Sequence, residues 1–332
     1  MGDGTVITNQ TAEIGNGVNL VFMGDCFDAK DISEGKYLAA ANEAIEHFFG
    51  LAPYAQYRDY FNVYTVVGLS PDSGVGTVNT IREARFGSQY GLQGSGKITP
   101  DNATCFKYAC MAPTVDKDNI NQTLVVLIEN SNEYDGVCYM YGDGSAIALC
   151  PMSSDVYPYD FRGIVQHEAG GHGFGKLGDE YIYHNAFIQT CTCVCCSHVD
   201  EFNAMKSRGW YENLSLSGNM YDVPWSHFIF DPKYSNVVDI YEGGFFHTRG
   251  VFRSEANSCM NNNIPYYSAI SREAIVKRIM QYGGVEYSFE KFKENDIMSA
   301  KSPTPTKSSI VGLPHTTRHH GGLVYMGDKP LF

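Results

Sequence analysis

Residues 166–181 read QHEAGGHGFGKLGDEY, a His-Glu pair, a second histidine five places after the first, five glycines and an Asp-Glu-Tyr close. Hydrolysis at a protein-bound zinc ion needs neutral imidazoles and a carboxylate around the metal, with one position left for water. It also needs a further carboxylate beside that water to take its proton. The usual solution sets two histidines four apart on a helix, where four residues advance about 400° and leave the rings about 40° apart. His167 and His172 are five apart, and in a regular helix they would stand about 140° from each other. They could not chelate one ion. A bulge of the i→i+5 kind absorbs one residue and returns both rings to one face. Gly170 and Gly171 lie between the histidines, where such distortion is cheapest. Two adjacent glycines disfavour a plain helix by roughly 2 kcal/mol relative to alanine.

The stretch therefore predicts a distorted helix with His167 and His172 as metal ligands and Glu168 as general base. After His172, Gly173, Gly175 and Gly178 can turn the chain sharply. Asp179 is the preferred third ligand. Glu180 is the alternative, or a partner for a histidine ring.

Working outward, FRGIVQHEAGGH (161–172) reads as the helix that carries the motif, and AIALC (146–150) as a strand that precedes it. That strand is a candidate to line the cleft and pair with an extended peptide. GVNLVFMG (17–24), FNVYTVVGL (61–69) and LVVLIEN (124–130) are further strands, rich in β-branched and aromatic residues. LAAANEAIEHFFG (38–50) and SAISREAIVKRIMQYG (268–283) have helical apolar spacing and end at glycine. Residues 70–118 read mostly as loop, 131–145 as Tyr- and Gly-rich turns, and 173–262 show weak periodicity. Residues 299–320 have linker composition. The economical reading is an α/β fold with a twisted mixed sheet backed by helices. Residues 1–285 would form the catalytic domain, with 286–332 as a C-terminal extension packed on it.

Composition narrows the function. The 332-residue chain is 43% hydrophobic and 18% charged, with a formal net charge of −13. That balance supports a large folded core and disfavours nucleic acid or an anionic membrane as partner, since both demand clustered Lys and Arg. No run reaches the roughly 20 apolar residues of a membrane-spanning helix. No Walker-type phosphate loop is present, since GSGK (94–97) lacks the spaced glycine. Ten cysteines include four in CTCVCC (191–196). Without paired CxxC units they favour a compact disulfide cluster or free thiols over a thiolate zinc site, even with His184 and His198 nearby. HTTRHH (315–320) reads as a solvated segment rather than a source of ligands.

The motif resembles that of the bacterial IgA-peptidase family of zinc metallopeptidases, His-Glu-x-x-His followed by a Gly/Ala-rich link and Leu-x-Asp-Glu-Tyr. His167, Glu168, Leu177, Asp179, Glu180 and Tyr181 match by position. His172 matches once the additional residue is accepted, and a His-Glu-x-x-x-His zinc site also occurs in dipeptidyl peptidase III. NLVFMGDCFDAKD (19–31), FFGLAPYAQYRDYFNVYTV (48–66) and YEGGFFHTRGVFRSEANSCMNNN (241–263) are similar to further segments of the family. The resemblance implies a zincin, metzincin-like fold, a Zn2+ cofactor and hydrolysis of extracellular proteins or peptides. It also implies a secreted or cell-surface protein; since the start MGDGTVITNQ is polar, a leader and a possible upstream domain are expected to be absent from this sequence. Met260 is then a candidate methionine turn beneath the metal. Tyr266, Tyr267, His247 and Arg253 are possible transition-state stabilisers that read more readily as packing or substrate-positioning residues. The competing class is a non-catalytic cell-surface binding module that retains a structural metal. The intact Glu168 argues against it, since a structural site has no use for that carboxylate.

Overall fold

Four apolar runs build the centre of the sheet. In the computed structural model, which describes residues 1–91, 100–190, 198–296 and 323–327, they become β2 (Val18–Asp25), β3 (Phe61–Val66), β4 (Leu124–Glu129) and β6 (Ala146–Pro151), all buried. β1 (Val6–Gln10) flanks them on one side and β5 (Val137–Met140) on the other. The order is β1-β3-β2-β4-β6-β5, with Leu323–Tyr325 beyond β5. β3, β2, β4 and β6 run parallel; β1 is antiparallel to β3, β5 is antiparallel to β6, and Leu323–Tyr325 is parallel to β5. This is the twisted mixed sheet, backed by helices, that the sequence predicts. The CTCVCC cluster, GSGK and the 299–320 tail with HTTRHH lie outside the described residues.

Burial on both faces explains why these strands are apolar throughout rather than alternating. One face carries Val21, Met23, Val125, Leu127, Ile147 and Leu149 against α3 (Asn102–Ala109), through Cys105, Phe106 and Ala109. α1 (Ala29–Ser33) follows β2. On the opposite face lies α2 (Lys36–Phe49), whose Phe48 meets Phe22 of β2 edge to face at 6.5 Å. On this second face β6 presents Ala148, and the motif helix closes down on it. A Cβ at Gly173 would sit 2.6 Å from Leu124 Cδ1 and 3.6 Å from Ala148 Cβ, so small residues on both partners set the approach distance.

β6 corrects one expectation. Its neighbours are β4 on one side and β5 on the other, so along Ala146–Leu149 both edges are already in ladders and closed to an extended peptide.

By internal contacts the chain groups into two compact units. The first comprises Met1–Phe174, Ile279–Glu286 and the strand beyond β5. The second runs over Gly175–Arg278 and resumes at Tyr287. It holds a small sheet in which β10 (Phe246–Arg253) pairs in parallel with β7 (Ile182–Phe187) and antiparallel with β8 (Leu214–Ser215) and β9 (Tyr241–Gly244). Around it are α5 (His198–Lys206), α6 (Ser226–Ile229), α7 (Cys259–Asn262), most of α8 (Ala269–Gly283) and α9 (Phe289–Asn295).

Candidate functional site

The motif helix begins conventionally. Asp160 caps α4 (Phe161–Ile164), its carboxylate accepting the Gly163 N–H at 3.0 Å. From Val165 the winding changes, and Val165–Phe174 is a π-helix with all ten residues buried. The sequence expectation was one local bulge; the i→i+5 winding instead runs through the whole motif. Two hydrogen bonds pin it from the first unit: the Tyr54 hydroxyl donates to the Gly170 carbonyl at 2.6 Å, and Gln166 Nε2 donates to the His47 carbonyl at 3.2 Å. Phe174, at its end, packs on Tyr54, Phe61 and Tyr282.

This winding brings His167 and His172 onto one side. Their ring centroids are 4.8 Å apart and the planes cross at 82°, an edge-to-face relation that two imidazoles converging on one point adopt. Glu168 is 3% exposed. Burial, and then the charge of Glu168, push the Cys150 thiol up. Beside Glu168 is Gly136, the residue before β5. A Cβ there would lie 2.7 Å from Ile164 Cγ2, 2.8 Å from Glu168 Cγ and 3.2 Å from Glu168 Oε1. The Glu168 side chain thus occupies space that only glycine leaves open. Nothing in the sequence marks Gly136 except its place before a short apolar run. Gly136→Ala is expected to cost about 1–3 kcal/mol through overpacking. It should also turn Glu168 out of its rotamer, seen as a fall in denaturation midpoint together with reduced hydrolysis.

Asp179 and Glu180 lie in the second unit, both buried. Glu180 is fully engaged: Oε1 accepts Asn213 Nδ2 at 2.9 Å and Oε2 accepts the Ser258 hydroxyl at 2.6 Å. Burial pushes its carboxyl up to about 7, against the lowering effect of those two hydrogen bonds. Its N–H donates to the Met260 carbonyl at 2.8 Å. On either side, the Asp179 and Tyr181 carbonyls accept the N–H groups of Phe245 and Phe246 at 2.9 and 3.0 Å. Phe245 and Phe246 sit at φ 43° and 69°, a left-handed conformation that bulky residues rarely hold. Met260 is buried in α7, and its carbonyl ties that short helix to the Asp-Glu-Tyr segment.

The four candidate stabilisers have local engagements. The Tyr266 hydroxyl donates to Glu255 Oε2 at 2.8 Å, and Arg253 donates to the carbonyls of Glu242, Gly243 and Ala256. Tyr267 accepts from Arg272 through its carbonyl. His247 Nε2 is 3.1 Å from His198 Nδ1. Cys26, Cys105, Cys110 and Cys150 are free thiols.

Two buried trios among the described residues have the composition of a metal site: His167, His172 and Asp179, and Asp25, Cys26 and Glu129. No helix among the described residues is long and apolar enough to cross a membrane. Residues 7–191, more than half of the chain, match the sequence model described as IgA Peptidase M64. No match was found among curated proteins.

Proposed function

We propose, from the premise that this chain belongs to the IgA peptidase M64 family and is therefore a peptide hydrolase, that it cleaves extracellular proteins or peptides with zinc held by His167, His172 and Asp179. Peptidases of this family are generally metal-dependent. The observation that carries the reading is the pair of imidazoles converging to 4.8 Å in spite of their spacing of five. The donor set fits: two imidazoles and one carboxylate are the three protein ligands of a catalytic zinc with a fourth position open. Asp179 is preferred to Glu180 because it joins His167 and His172 in the buried trio of candidate ligands, while Glu180 holds Asn213 and Ser258.

When bound, zinc supplies Lewis acidity and lowers the pKa of water to about 7. The chain's own residues do the rest. Glu168, packed against Gly136, accepts a proton from the attacking water and returns it to the departing amine. Tyr54, holding the Gly170 carbonyl, keeps the π-helix wound between the two histidines. The backbone donors at Phe245 and Phe246, with Glu180 anchored to Ser258 and Asn213, fix the chain on either side of Asp179. A secreted or cell-surface location goes with this substrate class, and fractionation of producing cells checks it.

Metal analysis paired with hydrolysis of casein or a peptide library tests the assignment. His172→Ala and Asp179→Asn are expected to lose bound zinc and hydrolysis together, and Glu180→Gln to keep its zinc. Zinc lost from Glu180→Gln but kept by Asp179→Asn would reverse the ligand choice. Zinc retained by the wild type with no cleavage of any peptide would favour a binding module.

A further inference from the structure

We propose that Asp25, Cys26 and Glu129 form a second, structural zinc site, buried in the first unit and separate from the histidine motif. Asp25 ends β2 and Glu129 ends β4, and the two are direct partners in the parallel register. Carboxyl ends of adjacent parallel strands are where α/β sheets gather ligands. All three side chains are 0% exposed, and their ligand atoms lie within 4.8 Å of one another.

The two carboxylates are treated unequally. Asp25 Oδ1 accepts the Cys26 N–H at 2.9 Å, the Ser70 hydroxyl at 2.9 Å and the Phe86 N–H at 3.1 Å, and Oδ2 accepts the Ser88 N–H at 2.9 Å. Four donors make a shell suited to an anion. Glu129 Oε1 accepts the Ser88 hydroxyl at 2.7 Å, while Oε2 is buried with no hydrogen-bond partner. Among the described residues, no Lys, Arg or His forms an ion pair with either carboxylate. A charged oxygen left that way is costly. A cation bridging Oε2, Asp25 and the adjacent sulfur offsets that charge. Protonation of Glu129 is the competing way to remove it, and the test below separates the two.

The third donor decides the kind of cation. Among the described residues the hydrogen bond of Cys26 Sγ is a long one, 4.0 Å to the Ser88 carbonyl. Its backbone holds φ 62°, a conformation uncommon for a residue with a side chain. Calcium and magnesium take oxygen shells, whereas one sulfur with two carboxylates suits zinc. Metal–ligand bonds of about 2.0–2.3 Å allow donors on opposite sides of one ion to stand up to about 4.6 Å apart, so small torsional changes suffice. The thiol proton is released to solvent on binding. Such an ion would tie the ends of β2 and β4 to the 70–88 loop that supplies Ser70, Phe86 and Ser88.

The test counts zinc in the full-length protein and replaces it with cobalt. Wild type is expected to hold about two equivalents and, with cobalt, to show a thiolate-to-metal charge-transfer band in the near ultraviolet. Glu129→Gln and Cys26→Ser should each lose about one equivalent, together with that band and part of the thermal stability. His172→Ala should lose the other equivalent and keep the band, so failure at the histidine motif and failure here are separable. An unchanged metal count in Glu129→Gln, with a midpoint equal to or above wild type, would overturn the proposal and leave a neutral, buried Glu129. Cys26→Gly retaining every equivalent of metal would overturn it too.

Discussion

Glu168→Gln is expected to lower kcat for peptide hydrolysis by about 10²–10⁴-fold, the usual worth of a positioned general acid–base group, while zinc content and KM hold. Glutamine keeps the shape that fits against Gly136, so packing is preserved, but its amide cannot take a proton from water. Stability should not fall, because a carboxylate that is 3% exposed is replaced by a neutral group of equal size. The contrast with His172→Ala gives the measurement its force: that variant is expected to lose metal and activity together, this one activity alone. Glu168→Asp, which withdraws the carboxylate by one methylene, should fall between wild type and Glu168→Gln. A glutamine variant keeping more than about a tenth of wild-type kcat, the loss of one decade being about 1.4 kcal/mol of barrier, would remove Glu168 from the mechanism.

The motif was legible because spacing and composition pointed the same way. A spacing of five between the histidines demands a wider turn, and Gly170 and Gly171 permit one. The sequence could not show that the wide winding would extend from Val165 to Phe174, since that depends on tertiary partners such as Tyr54. The long apolar strands were equally plain, for burial on both faces leaves an uninterrupted run of Val, Leu and Ile.

Short elements were hidden for physical reasons. β5 is four residues, VCYM, inside a stretch rich in turn formers, and its strand character comes from pairing with β6 rather than from its own pattern. α3 lies in what reads as loop, because Asn102, Thr104 and Cys105 are indifferent helix formers and Asp101 supplies the cap. β1 is half-exposed and polar, as an edge strand can be. In the second unit the ladder of β10 is broken by register shifts against β7 and β9, and a bulged strand carries no clean period of two. The bonding of Glu180 to Asn213 and Ser258 joins residues far apart in the chain, which no local pattern reveals.

The largest stability effect is expected at the far end of the second unit. Asp296→Ala should destabilise that unit by about 3–5 kcal/mol, read as a lower denaturant midpoint. Arg272 and Asp296 form a two-pronged ion pair, Nε to Oδ1 at 2.6 Å and Nη2 to Oδ2 at 2.8 Å, with both side chains 1% exposed. Around them, the Tyr234 hydroxyl donates to Asp296 Oδ2 at 2.9 Å, Lys233 donates to the Asp296 carbonyl at 2.8 Å, and the guanidinium lies 5.2 Å from the Tyr266 ring centroid. Removing the carboxylate leaves a guanidinium where water cannot reach it, with the buried Glu255 as a remaining anionic neighbour, and that desolvated charge, more than the lost attraction, sets the size of the effect. The sign therefore reverses when both charges go. Arg272→Met combined with Asp296→Leu should recover most of the loss, because well-packed apolar groups of similar volume avoid the desolvation of both ions. A double variant as unstable as Asp296→Ala would mean that the hydrogen bonds to Tyr234 and Tyr267, rather than the buried charge, hold α8 to the residues following α9.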